Sequence, residues 1–354
     1  MSRFFSEKYA SLVPYTPGEQ PKDQRYVKLN TNESPFPPSA KAQAYAAAAA
    51  QRLQLYSDPQ CTKLVELAAQ KFGVSREEIL FNNGSDEGLN FAFMAFCDAQ
   101  NGAAFPDISY GFYPVFAQLN GIPFRQIPLR EDFSICPEDY FGLNKTIFIA
   151  NPNAPTGMTL SLSDIERILV ANPDHVVVID EAYVDFGCES AVPLIHQYQN
   201  LLVIQTFSKS RSLAGGRLGF CIGDKELIRD LQTIKYSTNP YNVNSMTMAA
   251  GIGALEDEAY FQENCEKIRQ NRAWTVENLQ KMGFFVLDSK ANFVFAAHNS
   301  VPGKELYLQL KARGVLVRYF DKDRLHPFVR ITIGSREQME ILVVNLKEIL
   351  EEAQ

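Results

Sequence analysis

The stretch QTFSKSRSLAGGRLGF, residues 205–220, joins two apolar segments that have the composition of strands. LLVIQTF leads into it and RLGFCIG leads out of it, and both are rich in residues that favour buried strands. Lys209 stands at the end of the first segment, where an ammonium without a partner is costly to bury. We therefore expect Lys209 to interact with a partner group that lies outside this stretch.

Length, charge and composition restrict the class of protein. The chain has 354 residues, a net charge of −7 at pH 7 and a hydrophobic fraction of 46%. This length predicts two domains, and the acidic balance argues against a nucleic acid or an anionic membrane as the main partner. No apolar run approaches the roughly 20 residues that span a bilayer. The N-terminus also lacks the layout of a secretory signal.

The cysteines and histidines show no spacing typical of a metal site or of a disulfide framework. The six cysteines are scattered and contain no CxxC pair, which predicts buried thiols in a reducing compartment. The four histidines are spread out, with no HExxH-like pattern. We therefore expect a cytoplasmic protein without a metal centre.

Strand-like and helix-like segments alternate along most of the chain. After a proline-rich arm, a helix is predicted over 39–56, and short apolar runs such as TIFIAN and HVVVIDEA then alternate with helical or loop segments. This alternation predicts an α/β fold with a mostly parallel sheet flanked by helices. The pattern changes near residues 240–260. We therefore predict an arm at 1–38 that packs on the site and on the small domain, a large domain at 39–245 and a small α+β domain at 246–354.

Polar residues follow four of the predicted strands, and ligands of such sheets bind beyond the carboxyl ends of the strands. In NNGSDEG, Ser85 and Asp86 begin a helix whose exposed N–H groups suit a phosphate. Ordinary helix capping accounts for the same two residues. The turn NPNAPTG follows a second strand and, taken alone, is weak evidence for a site.

The third strand end lies in VVVIDEAYVDF. Asp180 follows a run of β-branched residues, so its carboxylate is predicted to be buried and to need a partner. That partner is either a structural group or the protonated nitrogen of an aromatic ligand. Tyr183, three residues further on, would reach the same ligand.

The fourth strand end is the stretch quoted first. Thr206 and Ser208 supply hydroxyls, and Arg217 supplies a planar fork suited to phosphate. Lys209 is either an ordinary surface lysine or a nucleophilic amine able to form a Schiff base with an aldehyde. Taken together, the strand ends predict a ligand with a phosphate, an aromatic nitrogen and an aldehyde, which are the groups of pyridoxal phosphate.

Nearly the whole chain resembles the fold-type-I pyridoxal-phosphate aminotransferases. The resemblance rests on LVPYTPG, KLNTNESPFPPS, LYSDPQCTKL, NNGSDEG, SYGFYPVFA, NPNAPTG, VVVIDEAYVDF, TFSKSRSLAGGRLGF and VRITIGS. Within that family, the KLNTNESP and SDP segments are similar to those of the histidinol-phosphate aminotransferases and are more specific than the lysine motif. The resemblance implies a large domain built on a mostly parallel sheet and a small α+β domain.

The resemblance also implies how the cofactor is bound. Lys209 would form the Schiff base and move protons, and Asp180 would keep the pyridine nitrogen protonated. Tyr183 would bond the phenolic oxygen of the ring, and Tyr110 would stack on the ring. The phosphate would be held by Ser85, Asp86, Thr206, Ser208 and Arg217.

Further implied positions concern the partner subunit and the substrate. Tyr56 would reach the phosphate of the neighbouring subunit, which makes the active unit a homodimer. Arg330, in VRITIGS, would pair with the α-carboxylate of an amino-acid substrate. The remaining substrate-pocket positions would be Tyr15, Asn32 and Arg318, with the arginine meeting a substrate phosphate.

The chain departs from the family pattern at one position. The family usually has an asparagine directly before PTG, where it bonds the phenolic oxygen of the cofactor. Here Ala154 occupies that position and is preceded by Asn153. Either Asn153 takes over the contact, or Tyr183 and water suffice.

The implied activity is amino transfer from histidinol phosphate to 2-oxoglutarate in two half-reactions, with ping-pong kinetics. One pocket would then accept a substrate phosphate and the carboxylates of glutamate, through Arg318 and Arg330. Two other enzymes share similar motifs, an aromatic amino-acid aminotransferase and a threonine-phosphate decarboxylase. The alternative outside the enzymes is a catalytically silent cofactor-binding module.

Overall fold

The computed structural model describes residues 2–353, and its elements alternate along the chain as expected. The helices are α1 (Ala40–Ala50), α2 (Thr62–Phe72), α3 (Ser85–Phe96), α4 (Tyr113–Asn120), α5 (Leu162–Ala171), α6 (Lys225–Thr238), α7 (Ser245–Glu256), α8 (Glu258–Lys281), α9 (Gly303–Ala312) and α10 (Arg336–Glu352). The strands are β1 (Val27–Lys28), β2 (Ile79–Asn82), β3 (Ala103–Pro106), β4 (Phe124–Ile127), β5 (Thr146–Ala150), β6 (Val177–Asp180), β7 (Leu201–Thr206), β8 (Gly219–Gly223), β9 (Phe284–Val286), β10 (Phe293–His298), β11 (Val315–Leu316), β12 (Arg318–Tyr319) and β13 (Phe328–Thr332). Within the described range, no helix combines the length and the apolar character that crossing a membrane requires.

Seven strands form the main sheet, in the order β2-β8-β7-β6-β5-β3-β4. Strands β4, β3, β5, β6 and β7 run parallel, while β8 is antiparallel to both of its neighbours. Strands β5, β6 and β7 are buried along their whole length, because helices cover both faces of the sheet. The predicted α/β class with a mostly parallel sheet is confirmed.

The helices on the two faces of this sheet belong to separate apolar clusters. On one face, Ile149 of β5 shares a cluster with Leu64 of α2 and Ile165 of α5. On the other face, Phe148 of β5 packs with residues of α3, α4 and α6, Phe116 among them. Because successive residues of a strand point to opposite faces, the continuous apolar run TIFIA supplies both clusters.

A second, antiparallel sheet has the order β12-β13-β10-β9 and packs with α8, α9 and α10. The N-terminal arm joins this part of the molecule, since β1 pairs in parallel with β11. The predicted border at 245/246 stays a prediction. Helix α7 begins next to that border, and its residues Met248 and Leu255 pack into the core of the main sheet, whereas Phe261 and Ile268 of α8 pack with the second sheet.

The first long helix is shorter than predicted. Helix α1 ends at Ala50 instead of continuing to residue 56. The next turns expose Leu53, Leu55 and Tyr56 by 53%, 53% and 84%. Helices of this length depend on packing for stability, and these side chains have no core of their own chain to pack against.

Candidate active site

The carboxyl ends of β2, β5, β6 and β7 meet at one edge of the main sheet. Strand β8 starts at the same edge, because Gly219 is paired with both Asn82 and Thr206. A cavity of about 330 Å³ opens there. Nine of the eleven predicted cofactor-binding residues line it, namely Ser85, Asp86, Tyr110, Asp180, Tyr183, Thr206, Ser208, Lys209 and Arg217.

One end of the cavity collects groups that suit a phosphate. Ser85 begins helix α3, whose first N–H groups have no partner within the helix. The Arg217 guanidinium donates from Nη2 to Oδ2 of Asp86 at 2.9 Å, and Tyr110 donates to Oδ1 of the same carboxylate at 2.7 Å. Thr206 donates its hydroxyl to Ser208 at 3.0 Å. Carboxylate, guanidinium and hydroxyls therefore hold one another in place around the helix N-terminus.

Backbone geometry brings Arg217 to this position. Its φ of 53° lies in the left-handed region, which is strained for a residue with a Cβ and is often found at functional sites. Gly84 lies opposite with a φ of 84°, and a Cβ there would lie 2.7 Å from Nη2 of Arg217. The glycine therefore gives the guanidinium the room to reach helix α3.

Asp180 also lines the cavity and is buried at the end of β6. The Tyr113 hydroxyl donates to Oδ2 of Asp180 at 3.0 Å, and the N–H of Ala182 donates to Oδ1 at 3.2 Å. Burial raises the pKa of Asp180 to about 7, although both hydrogen bonds act in the other direction. Within residues 2–353, the two cations that line the cavity leave Asp180 without an ion-pair partner, since Arg217 pairs with Asp86 and Lys209 acts on Asp180 only through its nearby charge. The protein thus presents a buried acid that a positively charged ring nitrogen would pair with.

Sequence reasoning missed Tyr113. The motif SYGFYPVF contains two tyrosines, and only Tyr110 was predicted to contribute to the site. Tyr113 is fully buried at the start of α4, and its hydroxyl is within reach of Asp180 only because α4 packs against the end of β6. A buried tyrosine needs a partner for its hydroxyl, and that requirement was the available signal.

Lys209 reaches into the cavity from the loop after β7. Its Nζ donates to the carbonyl oxygen of Thr31 at 3.4 Å and lies 5.8 Å from the centre of the Tyr183 ring. The residues that follow are tethered to other parts of the chain, since Ser210 donates to Asp185 and Ser212 donates to Ser34 of the arm at 2.9 Å. The loop is therefore fixed directly after the lysine, while the amine makes one weak contact.

Arg211 lies in the same loop but points away from the cavity. Its guanidinium is buried over the Phe261 ring at 3.9 Å and donates to the carbonyl oxygen of Ala254 at 2.9 Å. Ala254 lies near the end of α7 and Phe261 lies near the start of α8. Arg211 thus anchors the lysine loop to the junction of these two helices.

Asn153 does not line the cavity, although it was considered as a replacement for the usual asparagine. Its amide donates to the carbonyl oxygen of Ile108 at 3.0 Å and to the Thr156 hydroxyl at 3.1 Å, and its side-chain oxygen accepts from Ser109 at 2.8 Å. These three hydrogen bonds occupy the Asn153 side chain in stabilising the NPNAPTG turn. Ala154 lines the cavity instead and offers no hydrogen bond.

Tyr56 also lies outside the cavity of its own chain. Its side chain is 84% exposed, and its ring stacks on that of Tyr241 at 4.6 Å. Tyr15, in the arm, stacks on Phe112 at 4.3 Å and lies 6.4 Å from the ring of Tyr110. The arm therefore places an aromatic side chain next to one wall of the site, while Tyr56 faces solvent.

The predicted substrate residues lie where the arm crosses the second sheet. Asn32 has a left-handed φ of 56°, and its amide donates to the Tyr183 hydroxyl at 3.0 Å. The backbone N–H of Asn32 donates to the Thr332 hydroxyl at 2.9 Å. Arg318 donates to the carbonyl oxygens of Thr16 and Pro17 in the arm, at 3.2 and 3.3 Å.

Arg330 is a half-buried cation with no carboxylate partner among residues 2–353. Its Nη2 donates to the carbonyl oxygen of Asn30 at 2.9 Å, while its buried Nε has no hydrogen-bond partner in the same range. The guanidinium lies 5.4 Å from the centre of the Phe293 ring and 5.6 Å from that of Phe320. Burial lowers the pKa of Arg330. A charge that is shielded from water is normally paired with an opposite charge. We therefore expect an anionic ligand to bind next to Arg330.

The fold and the site define a class of protein, and the sequence matches the aminotransferase class I and II family over residues 24–346. The chain therefore belongs to that family. In overall structure it is similar to the histidinol-phosphate aminotransferase from Sinorhizobium meliloti solved in complex with pyridoxal-5'-phosphate. The TM-score is 0.90, and the match covers 100% of this chain and 99% of that one at 22% identity. At 22% sequence identity, this similarity shows that the two proteins share a fold.

Full-length relatives make the comparison more specific. The chain is 48% identical over 352 residues to a histidinol-phosphate aminotransferase from Brachyspira hyodysenteriae, with 99% of both chains covered. It is 49% identical over 353 residues to a protein of the same name from a Marinomonas species, with 99% of this chain and 100% of that one covered. The predicted family, fold type and enzyme class, a pyridoxal-phosphate-dependent transaminase, are confirmed.

Proposed function

We propose that this chain transfers the amino group of histidinol phosphate to 2-oxoglutarate. The cofactor is pyridoxal phosphate, and the cavity residues fit each of its groups. The first turn of α3 with Arg217 suits the phosphate, the buried Asp180 suits the ring nitrogen, and Lys209 suits the aldehyde. When bound, the cofactor supplies an electron sink for the pair left behind when the substrate α-proton is removed.

The side chains of the site have separate tasks in this chemistry. Lys209 would bond the cofactor aldehyde between turnovers, and its free amine would remove the α-proton of the donor and return a proton to the cofactor carbon. Asp180 would keep the ring nitrogen protonated. Tyr183 would donate to the phenolic oxygen of the ring, aided by the Asn32 amide, which donates to the same hydroxyl. With Ala154 in place of asparagine, Tyr183 is the side chain available for that oxygen.

The observation that carries the proposal is the guanidinium of Arg330, whose buried Nε has no hydrogen-bond partner among residues 2–353. A donor with a phosphate and an acceptor with two carboxylates share one property, which is an anionic group close to the reacting carbon. Arg330 offers its unbonded Nε to such a group, and Arg318 lies close enough to lower the pKa of Arg330 further, beyond the effect of burial. The proposal also draws on the full-length relatives at 48% and 49% identity.

Replacing Arg330 with glutamine tests this role. We expect kcat/KM for both histidinol phosphate and glutamate to fall about 100-fold or more, because the substrate anion would lose its charged partner. The affinity for pyridoxal phosphate should change little, since Arg330 does not line the cofactor cavity. Arg125→Gln, at an exposed position on β4, is the matched control. Unchanged kinetics in Arg330→Gln would contradict the role.

A comparison of amino donors tests the substrate. With 2-oxoglutarate as acceptor, kcat/KM for histidinol phosphate should exceed that for phenylalanine by at least about tenfold, and threonine phosphate should yield no carbon dioxide. A preference for phenylalanine would assign the chain to the aromatic amino-acid aminotransferases. Release of carbon dioxide from threonine phosphate would assign it to the decarboxylases, and no reaction with any donor would indicate a silent binding protein.

We further propose a cytoplasmic homodimer in which Tyr56 reaches the phosphate site of the partner. This is supported by the exposure of Leu53, Leu55 and Tyr56, which form an apolar segment that their own chain leaves uncovered. The six cysteines are free thiols, in keeping with a reducing compartment. Sedimentation of the active protein as a monomer would contradict the dimer.

A further inference from the structure

Glu33, in the arm motif NTNESP, lines the cavity together with Lys209 and was not among the residues predicted from the sequence. We propose that the Glu33 carboxylate is a specificity-determining group that accepts a hydrogen bond from the N–H of the imidazole ring of the amino donor. This inference rests on the proposed function, because it assigns a part of the same site to a part of the same substrate.

Glu33 differs from the other two carboxylates that line the cavity. Asp86 is bonded to Arg217 and Tyr110 beside the N-terminus of α3, and Asp180 is bonded to Tyr113 at the end of β6. Both are therefore assigned to the cofactor. Glu33 comes from the arm, two residues after Thr31, whose carbonyl Lys209 contacts, so it lies in the cavity near the reactive amine and is not bonded to a cofactor-binding residue.

The carboxylate of Glu33 is held in position by its own segment. Lys28 donates from Nζ to Oε1 at 2.8 Å, and the Thr31 hydroxyl donates to Oε2 at 2.8 Å. A carboxylate has about four acceptor positions, so these partners leave room for a further donor. The side chain of Glu33 is 41% exposed, which leaves it open to a ligand in the cavity.

Glu33 is also charged when a substrate arrives. Burial alone would raise its pKa, but the hydrogen bonds from Lys28 and Thr31 and the nearby charges of Lys28 and Lys209 outweigh this effect and lower the pKa. An ionised carboxylate can only accept hydrogen bonds. It therefore favours an N–H-bearing ring over a phenyl ring, and it disfavours the carboxylate side chain of glutamate at the same place.

Single-turnover kinetics of the two donor reactions test the proposal. The cofactor-loaded protein is mixed with histidinol phosphate or with glutamate, each without a keto acid, and the change in cofactor absorbance is followed. In Glu33→Gln the second-order rate constant for histidinol phosphate should fall about tenfold, which is the expected loss of a charge-assisted hydrogen bond. The constant for glutamate should stay within about twofold of wild type or rise.

Glu19→Gln is the matched control, because Glu19 also lies in the arm and pairs with a lysine, Lys311, but does not line the cavity. We expect it to keep the preference for histidinol phosphate over glutamate within about threefold of wild type. An equal loss for both donors in Glu33→Gln, or the same selective loss in Glu19→Gln, would overturn the proposal. Failure of the wild-type protein to react with histidinol phosphate, with glutamate still active, would instead overturn the proposed function itself.

Discussion

Replacing Lys209 with alanine is expected to lower kcat by more than about 10⁴-fold, to the limit of detection. The variant would lose both the bond to the cofactor aldehyde and the base that removes the α-proton, and no nearby group replaces an amine in both tasks. The side chain contributes one 3.4 Å contact with Thr31, so the fold and the cavity should be retained. Steady-state transamination assays together with circular dichroism provide the measurement.

A surface lysine provides the control for this experiment. Lys63 is 59% exposed and has a single weak ion pair with Glu66, so Lys63→Ala should keep kcat within about twofold of wild type. Transamination by Lys209→Ala at a rate near that of the wild type would refute the assignment of Lys209.

The second large effect is expected for Asp180→Asn. Asparagine keeps the shape of the side chain but has no charge to hold the ring nitrogen protonated, so kcat should fall by roughly 10³-fold. The same change is expected to stabilise the cofactor-free protein at pH 8. Burial raises the pKa of Asp180 from an ordinary value of 3.8 to about 7, so the folded state binds this proton more tightly than the unfolded state.

The sign of the stability change follows from this shift. Well below pH 4 the carboxyl is protonated in both states and costs nothing. Between about pH 4 and pH 7 the unfolded chain releases the proton while the folded chain keeps it, so the free energy of unfolding falls over this range and stays lower above it. The asparagine side chain avoids that cost, so the Tm of the cofactor-free variant should exceed that of the wild type at pH 8, by an amount on the order of 2–4 °C. Near pH 4 the difference should almost vanish. A lower Tm for the variant at pH 8 would contradict this account of Asp180.

The strand ends of the site were predictable from the sequence, because a local sequence pattern marks each strand end and a rule of sheet topology says where such ends lie. Apolar runs place Asp180 at the end of one strand and Lys209 shortly after the end of the next, and a parallel sheet brings such ends to one edge. The position of the Thr206 and Ser208 hydroxyls at the site was predicted from the same local sequence pattern. The chain order of these segments, together with the parallel-sheet rule, was sufficient to predict that they meet.

Other features depend on contacts between distant segments, which local patterns do not reveal. The direction of the Asn153 side chain is decided by Ile108 and Ser109, more than forty residues away. The Arg211 side chain points away from the cavity because its guanidinium packs on the Phe261 ring and donates to the Ala254 carbonyl at a buried site. The role proposed for Glu33 likewise requires the position of the arm over the sheet, and the sequence predicted only that the arm packs nearby.

The end of α1 at Ala50 illustrates a further limit. The alanine-rich run has high helix propensity, and the pattern continues to residue 56. Propensity alone does not stabilise a surface helix, and Leu53 and Leu55 after Ala50 remain more than half exposed in their own chain. A dimer partner, which the sequence of one chain does not contain, is the surface that this segment is proposed to meet.

A single half-reaction tests the central claim most directly. The purified, cofactor-loaded protein is mixed with one equivalent of histidinol phosphate in the absence of 2-oxoglutarate, and the products are identified by mass spectrometry. We predict close to one equivalent of the corresponding ketone phosphate per site, with the nitrogen retained on the cofactor as an amine and no carbon dioxide formed. Recovery of unchanged histidinol phosphate, with the cofactor still in its aldehyde form, would contradict the account.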